Sequence, residues 1–222
     1  MHTPPSTKNL DEILRRSDAL DEAAIDLLGP ETYQTFDAST RISASFGACV
    51  LSLEHARGLR ALIVAGFPTS AIGLMRLQYE ALTRSVWLLY GASDGAVEKL
   101  QMPLTPDAEK KANKLPMLAE MLSAIDGKAP PVATQMLTQF KDVTAGALNS
   151  FVHGGIHPLH RQREGYPLPL LVQVVRSSNG LFVMSGMMFA TLSGNADLLG
   201  KISGIQPAFA DCLPELLPAA VS

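Results

Sequence analysis

Three of the five histidines in this chain lie within eight residues, as His153, His157 and His160. Imidazole is the side chain whose ordinary pKa lies closest to neutrality, so such a cluster points to proton transfer, metal binding or phosphate contact. A glycine pair and a proline stand between these histidines and predict that a helix breaks within the segment. The segment is therefore the first candidate for a functional site.

The spacing of four and three residues would place the three histidines on one face of a continuous helix, which would suit a metal ion. The predicted break prevents that arrangement, and no glutamate follows His153 to give the zinc-protease pattern, so we expect no metal. Two alternatives remain open. His153 could cap the negative end of the preceding helix, with His157 and His160 in a loop. It could instead form a ligand-facing or catalytic pair with Asn149, which lies one turn earlier on the same face.

A second candidate is the stripe formed by Arg76, Glu80 and Arg84, the only charged residues between Gly66 and Ser93. Their four-residue spacing places all three on one side of a helix. One interpretation is a ladder of ion pairs on a partly exposed face, which stabilises a helix only slightly. The other places the stripe inside a bundle or at a dimer seam, where Glu80 would hold two guanidinium groups toward a phosphate.

Composition limits the classes of function. The chain has 222 residues, 47% of them hydrophobic, and a formal charge of −3, so it is globular and lacks the overall positive charge typical of nucleic-acid-binding proteins. Cys49 and Cys212 are too few for a disulfide framework or thiolate metal site. No signal peptide is recognisable, and the longest apolar run falls short of about 20 residues, so we expect a cytoplasmic protein without a membrane partner. Nucleophile-elbow and phosphate-loop motifs are missing.

The periodicity of apolar residues predicts helices throughout, antiparallel through short loops, as in an up-and-down bundle of five to six helices. The predicted organisation is a disordered arm at 1–8, a single helical domain at 9–214 and a flexible tail at 215–222. The second predicted helix is apolar on two faces and should run through the centre. The predicted helices span 9–28, 37–66, 68–90, 106–125, 132–152 and 168–199, and a shorter helical tail ends at Pro214.

The stripe-bearing segment at 70–84, together with Asn149-Ser-Phe-Val-His153-Gly-Gly, resembles a group of uncharacterised bacterial helical proteins with an Arg-x-x-x-Glu helix and a later histidine at a helix end. More weakly, the chain resembles HEPN domains (higher eukaryote and prokaryote nucleotide-binding). That resemblance implies an HEPN-like bundle of four to five helices, often a dimeric metal-independent ribonuclease of toxin or phage-defence systems, with its site at the dimer seam. Active members carry an arginine four to six residues before a histidine, whereas here no arginine lies between Ser85 and His160.

The resemblance leads to a first hypothesis, a protein that binds nucleotide or RNA phosphate and cleaves RNA without metal or cofactor. His153 would act as general acid or base, Arg76 and Arg84 would hold the phosphate, and Glu80 and Asn149 would orient them. This requires the stripe and His153 to share one pocket. The alternative is a non-catalytic homodimeric module that serves as partner subunit or sensor for a cognate protein. A third hypothesis is a small-molecule pocket lined by Trp87, Tyr79 and the stripe.

Overall fold

The computed structural model describes residues 7–28, 35–107, 110 and 115–215, and all regular structure within these ranges is helical. The all-α prediction is therefore confirmed for the described part of the chain. Residues 1–6 of the predicted arm and 216–222 of the predicted tail lie outside it. The α-helices are α1 (Thr7–Leu28), α2 (Thr40–Val64), α3 (Pro68–Tyr90), α4 (Asp94–Gln101), α5 (Leu118–Ile125), α6 (Pro131–Val152), α7 (Ile156–Glu164), α8 (Leu168–Ser193) and α9 (Ala196–Ile205). A 3₁₀ helix at Gln206–Cys212 follows α9.

Prolines in the first turn mark the starts of three long helices. Pro68 and Pro131 are the first residues of α3 and α6, and Pro169 is the second residue of α8. Proline is favoured there because its fixed φ suits a helix and its missing N–H would have no intrahelical acceptor. These starts agree with the predicted ones to within one residue.

The described residues form nine α-helices, and the three beyond the six predicted spans are α4 in a predicted connection, α7 in the histidine segment and α9 at the end of the predicted last helix. Of the helix predicted at 106–125, α5 occupies the last eight residues, and positions 108–109 and 111–114 lie outside the described residues. The predicted connection before it contains α4, whose first turn is capped by the Ser93 hydroxyl accepting from the Ala96 N–H at 3.3 Å. The long last helix ends at Ser193, after which Asn195 caps the start of α9.

Gly194 forms the break between α8 and α9 and ties it to an early part of the chain. Its φ of +69° is left-handed, a conformation that favours glycine. A Cβ at this position would lie 2.6 Å from the Cβ of Phe36. The Phe36 N–H donates to the carbonyl of Leu192 at 2.9 Å, so the segment that leads into α2 is fixed to the end of α8.

The centre of the fold is a three-helix contact among α2, α3 and α8 that small polar side chains hold together. The Ser52 hydroxyl lies 3.0 Å from the Gln78 carbonyl and 2.9 Å from the Ser185 hydroxyl. Gln78 donates to the Ser178 carbonyl at 2.9 Å and accepts from its hydroxyl at 2.7 Å. These buried groups satisfy one another, and their small size lets the helices approach closely.

Helix α6 packs against α3 through Tyr79. The Tyr79 hydroxyl of α3 donates to the Leu137 carbonyl of α6 at 2.7 Å, and the Tyr79 ring lies 4.6 Å from the Phe140 ring. Near the first turn of α3, Thr69 bonds Gln162 of α7 at 2.8 Å. The second half of α7 is therefore placed beside the start of α3. None of the described helices combines the length and apolar character needed to cross a bilayer.

Candidate functional site

The histidine segment is a tight turn between two helices. Helix α6 ends at Val152, and the His153 N–H donates to the Asn149 carbonyl at 3.0 Å. Gly154 then adopts a left-handed φ of +63°, and the Gly155 N–H donates to the Ser150 carbonyl at 2.8 Å. This is the glycine-dependent helix ending that the sequence predicts, with His153 at the cap position.

The expectation that His157 and His160 lie in a loop is wrong, because both belong to α7. Pro158 does not prevent this helix, since it is the third residue, where a backbone N–H has no intrahelical acceptor. The Ser150 hydroxyl accepts from the N–H of His157 at 3.0 Å and thus satisfies one of the free donors at the start of α7. The prediction of a helix break holds at the glycine pair alone.

The three histidines consequently have different surroundings. The side chains of Asn149 and His153 are exposed at the end of α6. On α7, His160 lies 3.1 Å from Glu164, and the His157 ring stacks on Phe151 with 6.3 Å between centroids and 19° between planes. Among the described residues, no group of three or more histidine, cysteine or acidic residues is arranged to hold a metal ion.

Beside these imidazoles lies an open hollow of about 270 Å³, lined by Ile156, His157, His160 and Arg161. Arg163, which is 74% exposed, reaches Glu164 at 3.2 Å, and Arg161 donates to the carbonyl of Gly165 at 3.4 Å. With neutral imidazoles, α7 carries two arginines against one glutamate, and protonation of either histidine adds to the positive charge. We call this surface, formed by His157, His160, Arg161 and Arg163, the α7 basic surface. Its chemistry suits a phosphate group.

The predicted arginine stripe contains one ion pair rather than a ladder. Arg76 Nη2 lies 2.7 Å from Glu80 Oε1, with 12% of the arginine side chain and 34% of the glutamate side chain exposed. Arg84 is half-buried and forms no hydrogen bond or ion pair with any other described residue. The i,i+4 pair at Arg76 and Glu80 matches one of the two interpretations of the sequence, and it leaves Arg84 available to an anion.

The structure does not bring the stripe into contact with the histidine turn. Within the described ranges, no hydrogen bond, ion pair or ring contact joins Arg76, Glu80 or Arg84 to Asn149 or His153. Tyr79 fixes the middle of α3 against the first half of α6, whereas His153 stands at the far end of α6. The pocket predicted from Arg76, Glu80, Arg84, Asn149 and His153 therefore remains a prediction, and no direct contact between the two groups supports it.

The third hypothesis places a small-molecule pocket at Tyr79 and Trp87, but the structure packs both side chains into the interior. Both side chains are buried, with 0% and 3% exposure, and burial raises the pKa of Tyr79 to about 12. The structure places a cavity elsewhere, between α1, α2 and α8, where Asp21, Glu54 and Arg57 join apolar side chains. Sequence reasoning missed this cavity, although Arg60 on an apolar face of α2 was a signal that a buried acidic partner exists.

Comparison with known sequences gives a family without an assigned activity. The model of a family of unknown function, DUF6988, matches residues 49–215. The matched region contains the stripe and both helices that flank the histidine turn, and it leaves α1 outside. No curated protein and no solved structure shows significant similarity to the chain.

Proposed function

This chain belongs to DUF6988, a family of unknown function, and we propose that it binds the phosphate groups of RNA or of a nucleotide through the α7 basic surface. The observation that carries this proposal is the clustering of His157, His160 and Arg161 around one open hollow of about 270 Å³. Guanidinium groups bind phosphate through paired hydrogen bonds, and protonated imidazole adds charge and a donor.

The neighbouring aromatic residues favour RNA as the ligand of this surface. Phe151 stacks on His157 and lies 6.5 Å from the ring of Tyr166, so flat side chains stand next to the cationic ones. Proteins that bind single-stranded nucleic acid combine positive charge along the backbone with rings on which bases stack. An exposed imidazole stacked on Phe151 could exchange that contact for a base.

RNA cleavage, as the resemblance to HEPN domains implies, is the further part of this proposal. His153 would take the proton from a ribose 2′-hydroxyl, whose oxygen attacks the adjacent phosphorus to form a 2′,3′-cyclic phosphate, while the bond from phosphorus to the 5′-oxygen breaks and that oxygen takes a proton from water. The Arg76–Arg84 stripe has no direct contact with His153 within one chain, so this proposal places its phosphate-holding role at an HEPN-like dimer seam, where a second copy would supply it. A toxin or phage-defence setting is supported by the resemblance alone.

Binding is tested by fluorescence anisotropy with a labelled single-stranded RNA of mixed sequence. We expect the double variant His157→Gln, Arg161→Gln to bind about tenfold more weakly than the wild type and to show a smaller dependence of log K on log salt. Arg15→Gln is the matched control, because Arg15 is an exposed cation on α1. Equal affinities of wild type and double variant would overturn the binding proposal.

Cleavage is tested separately, by incubating the same RNA with wild type and His153→Ala in the presence of a chelator. We expect cleavage by the wild type and a loss of about 10²-fold or more in the variant. If both cleave equally, or neither does, the enzymatic part of the proposal is wrong and the binding part is judged by anisotropy alone.

A second candidate function, the non-catalytic homodimeric partner or sensor module, is favoured by α6. This helix has 22 residues, yet only Leu137 and Leu148 are fully buried within the chain. Val132 and Val143 lie on one side of the helix and are 67% and 75% exposed. These two valines, on a helix that buries few residues within the chain, leave apolar area that a second copy of the chain would cover in this candidate function.

A further inference from the structure

A separate cavity lies between α1, α2 and α8. Its volume is about 220 Å³. Its walls are mostly apolar, formed in part by Ile25, Leu28, Val50, Leu53, Phe182 and Phe189. An apolar protein cavity of about 150 Å³ is already large enough to hold benzene. This one therefore has room for an aromatic ring or a branched alkyl group together with a short chain.

The charged groups at this cavity are mostly committed to one another. Arg57 donates two hydrogen bonds of 2.8 Å to the carboxylate of Asp21, and Arg60 donates a further one. Arg60 Nε also lies 3.4 Å from Asp18. These two arginines and two aspartates sum to zero charge, and the guanidinium of Arg57 is already occupied by a carboxylate.

Glu54 also lines the cavity, and the titratable group with which it interacts is the adjacent His55, whose pKa is lowered by burial. Glu54 is exposed, and it forms no hydrogen bond or ion pair with any other residue in the described part of the chain. It stands one turn before Arg57 on α2, so the charge left over at the cavity is negative. A negative group beside an apolar hollow selects for a ligand with an apolar body and a cationic head.

We propose that this cavity is a binding site for a small primary amine with an aromatic or branched apolar body. The body fills the space between Ile25, Val50 and Phe189, and the ammonium group lies against Glu54. A carboxylate ligand with the same body would meet the negative charge of Glu54 and would compete with Asp21 for Arg57. The site is independent of the α7 basic surface.

The test uses three probes that share one body and differ in the head group: 2-phenylethylammonium, 2-phenylethanol and 3-phenylpropanoate. Dissociation constants are measured by calorimetric titration of the full chain. We expect the ammonium to bind most tightly and the carboxylate most weakly. In Glu54→Gln the advantage of the ammonium over the alcohol should fall about fivefold, which is the upper range for a partly exposed ion pair.

Two variants control this result. Glu98→Gln removes an exposed carboxylate on α4 and should leave all three constants unchanged. Val50→Phe fills the cavity from a position that is 38% exposed, so it should weaken all three probes together without unfolding the protein. Absence of binding, equal affinity for the three head groups, or an ammonium preference that survives Glu54→Gln would each overturn the proposal.

Discussion

Asp21 shows how one buried carboxylate can determine where a helix docks. It lies on α1 and accepts hydrogen bonds from Arg57 and Arg60, which stand one turn apart on the same side of α2. Burial raises the pKa of Asp21, but the hydrogen bonds from Arg57 and the charge of Arg60 outweigh burial and hold the pKa below its ordinary value. The ion pairs of Asp21 with Arg57 and Arg60 therefore favour one orientation of α1 on α2 over others.

The lowered pKa of Asp21 predicts a specific response to acid. The unfolded chain takes up the proton at a higher pH than the folded chain, so the stability that Asp21 contributes is complete well above pH 3.8 and is lost as the pH falls below that value. At neutral pH, Asp21→Asn should lower the free energy of unfolding by about 3 kcal/mol, because it leaves buried Arg60 poorly compensated. The measurement is urea unfolding of wild type and variant near neutrality and again at about pH 3.

The difference between wild type and Asp21→Asn should shrink at the acidic pH. Asp18→Asn is the control, because Asp18 is 69% exposed and reaches the same arginine at 3.4 Å. It should change stability by about 1 kcal/mol or less at either pH. If Asp21→Asn lowered the free energy of unfolding by the same amount at both pH values, the lowered pKa of Asp21 would be contradicted.

At the residue scale, the spacing of charged residues along one helix predicted a local contact, whereas contacts between distant parts of the chain could not be predicted. The four-residue spacing of Arg76 and Glu80 predicts an ion pair, and the structure contains it. Asp21 and Arg57 are 36 residues apart, and no local pattern joins them. The same limit applies to His153 and the arginine stripe, because no local pattern joins residues so far apart in the chain.

At the element scale, glycine and proline positions explain both the correct and the incorrect boundaries. The glycine pair after His153 ends α6 as predicted, because Gly154 adopts a left-handed conformation. Pro158 was taken as a helix breaker, yet three residues into α7 it costs no hydrogen bond. A proline within the first turn of a helix does not end it, so the meaning of Pro158 depends on where α7 starts. That start is stabilised by the Ser150 hydroxyl, which accepts from the His157 N–H.

The close contact between the ends of α3 and α5 gives a second prediction. A Cβ at Gly91 would lie 2.8 Å from the carbonyl oxygen of Ala124, which belongs to backbone and cannot easily move. We expect Gly91→Ala to lower the free energy of unfolding by about 1–3 kcal/mol, as overpacking does. Chemical denaturation measures the effect.

The matched control for this substitution is Gly95→Ala on α4, where a new Cβ would have nothing within 4 Å. Alanine favours a helix more than glycine, so this variant should be unchanged or more stable by up to about 1 kcal/mol. Equal destabilisation by both substitutions would show that the α3–α5 contact is looser than described.

At the scale of the whole molecule, the apolar side of α6 distinguishes the two candidate functions. If the chain is a homodimer through this helix, light scattering should give twice the mass of one chain at micromolar concentration, and Val143→Asp should give the mass of a single chain. A charge at Val143, which is 75% exposed, would be desolvated in such an interface but harmless in a monomer.

Leu104→Asp is the control for the dimer test, because Leu104 is fully exposed in the connection after α4. It should leave the mass unchanged. A wild type with the mass of one chain at every concentration would contradict the homodimer, and would also remove the dimer seam that the cleavage proposal needs.

The attachment of Phe36 to the end of α8 determines when this protein can fold during synthesis. Helix α1 and one of the two apolar sides of α2 pack against α8, and the Phe36 N–H donates to the Leu192 carbonyl in the last turn of that helix. While the ribosome translates the intervening helices, these early surfaces have no permanent cover, and a nascent chain stalled before α8 would present them to chaperones and proteases. Ribosome-bound chains should become resistant to protease only after the codon for Gly194 has been translated and the residue has cleared the exit tunnel.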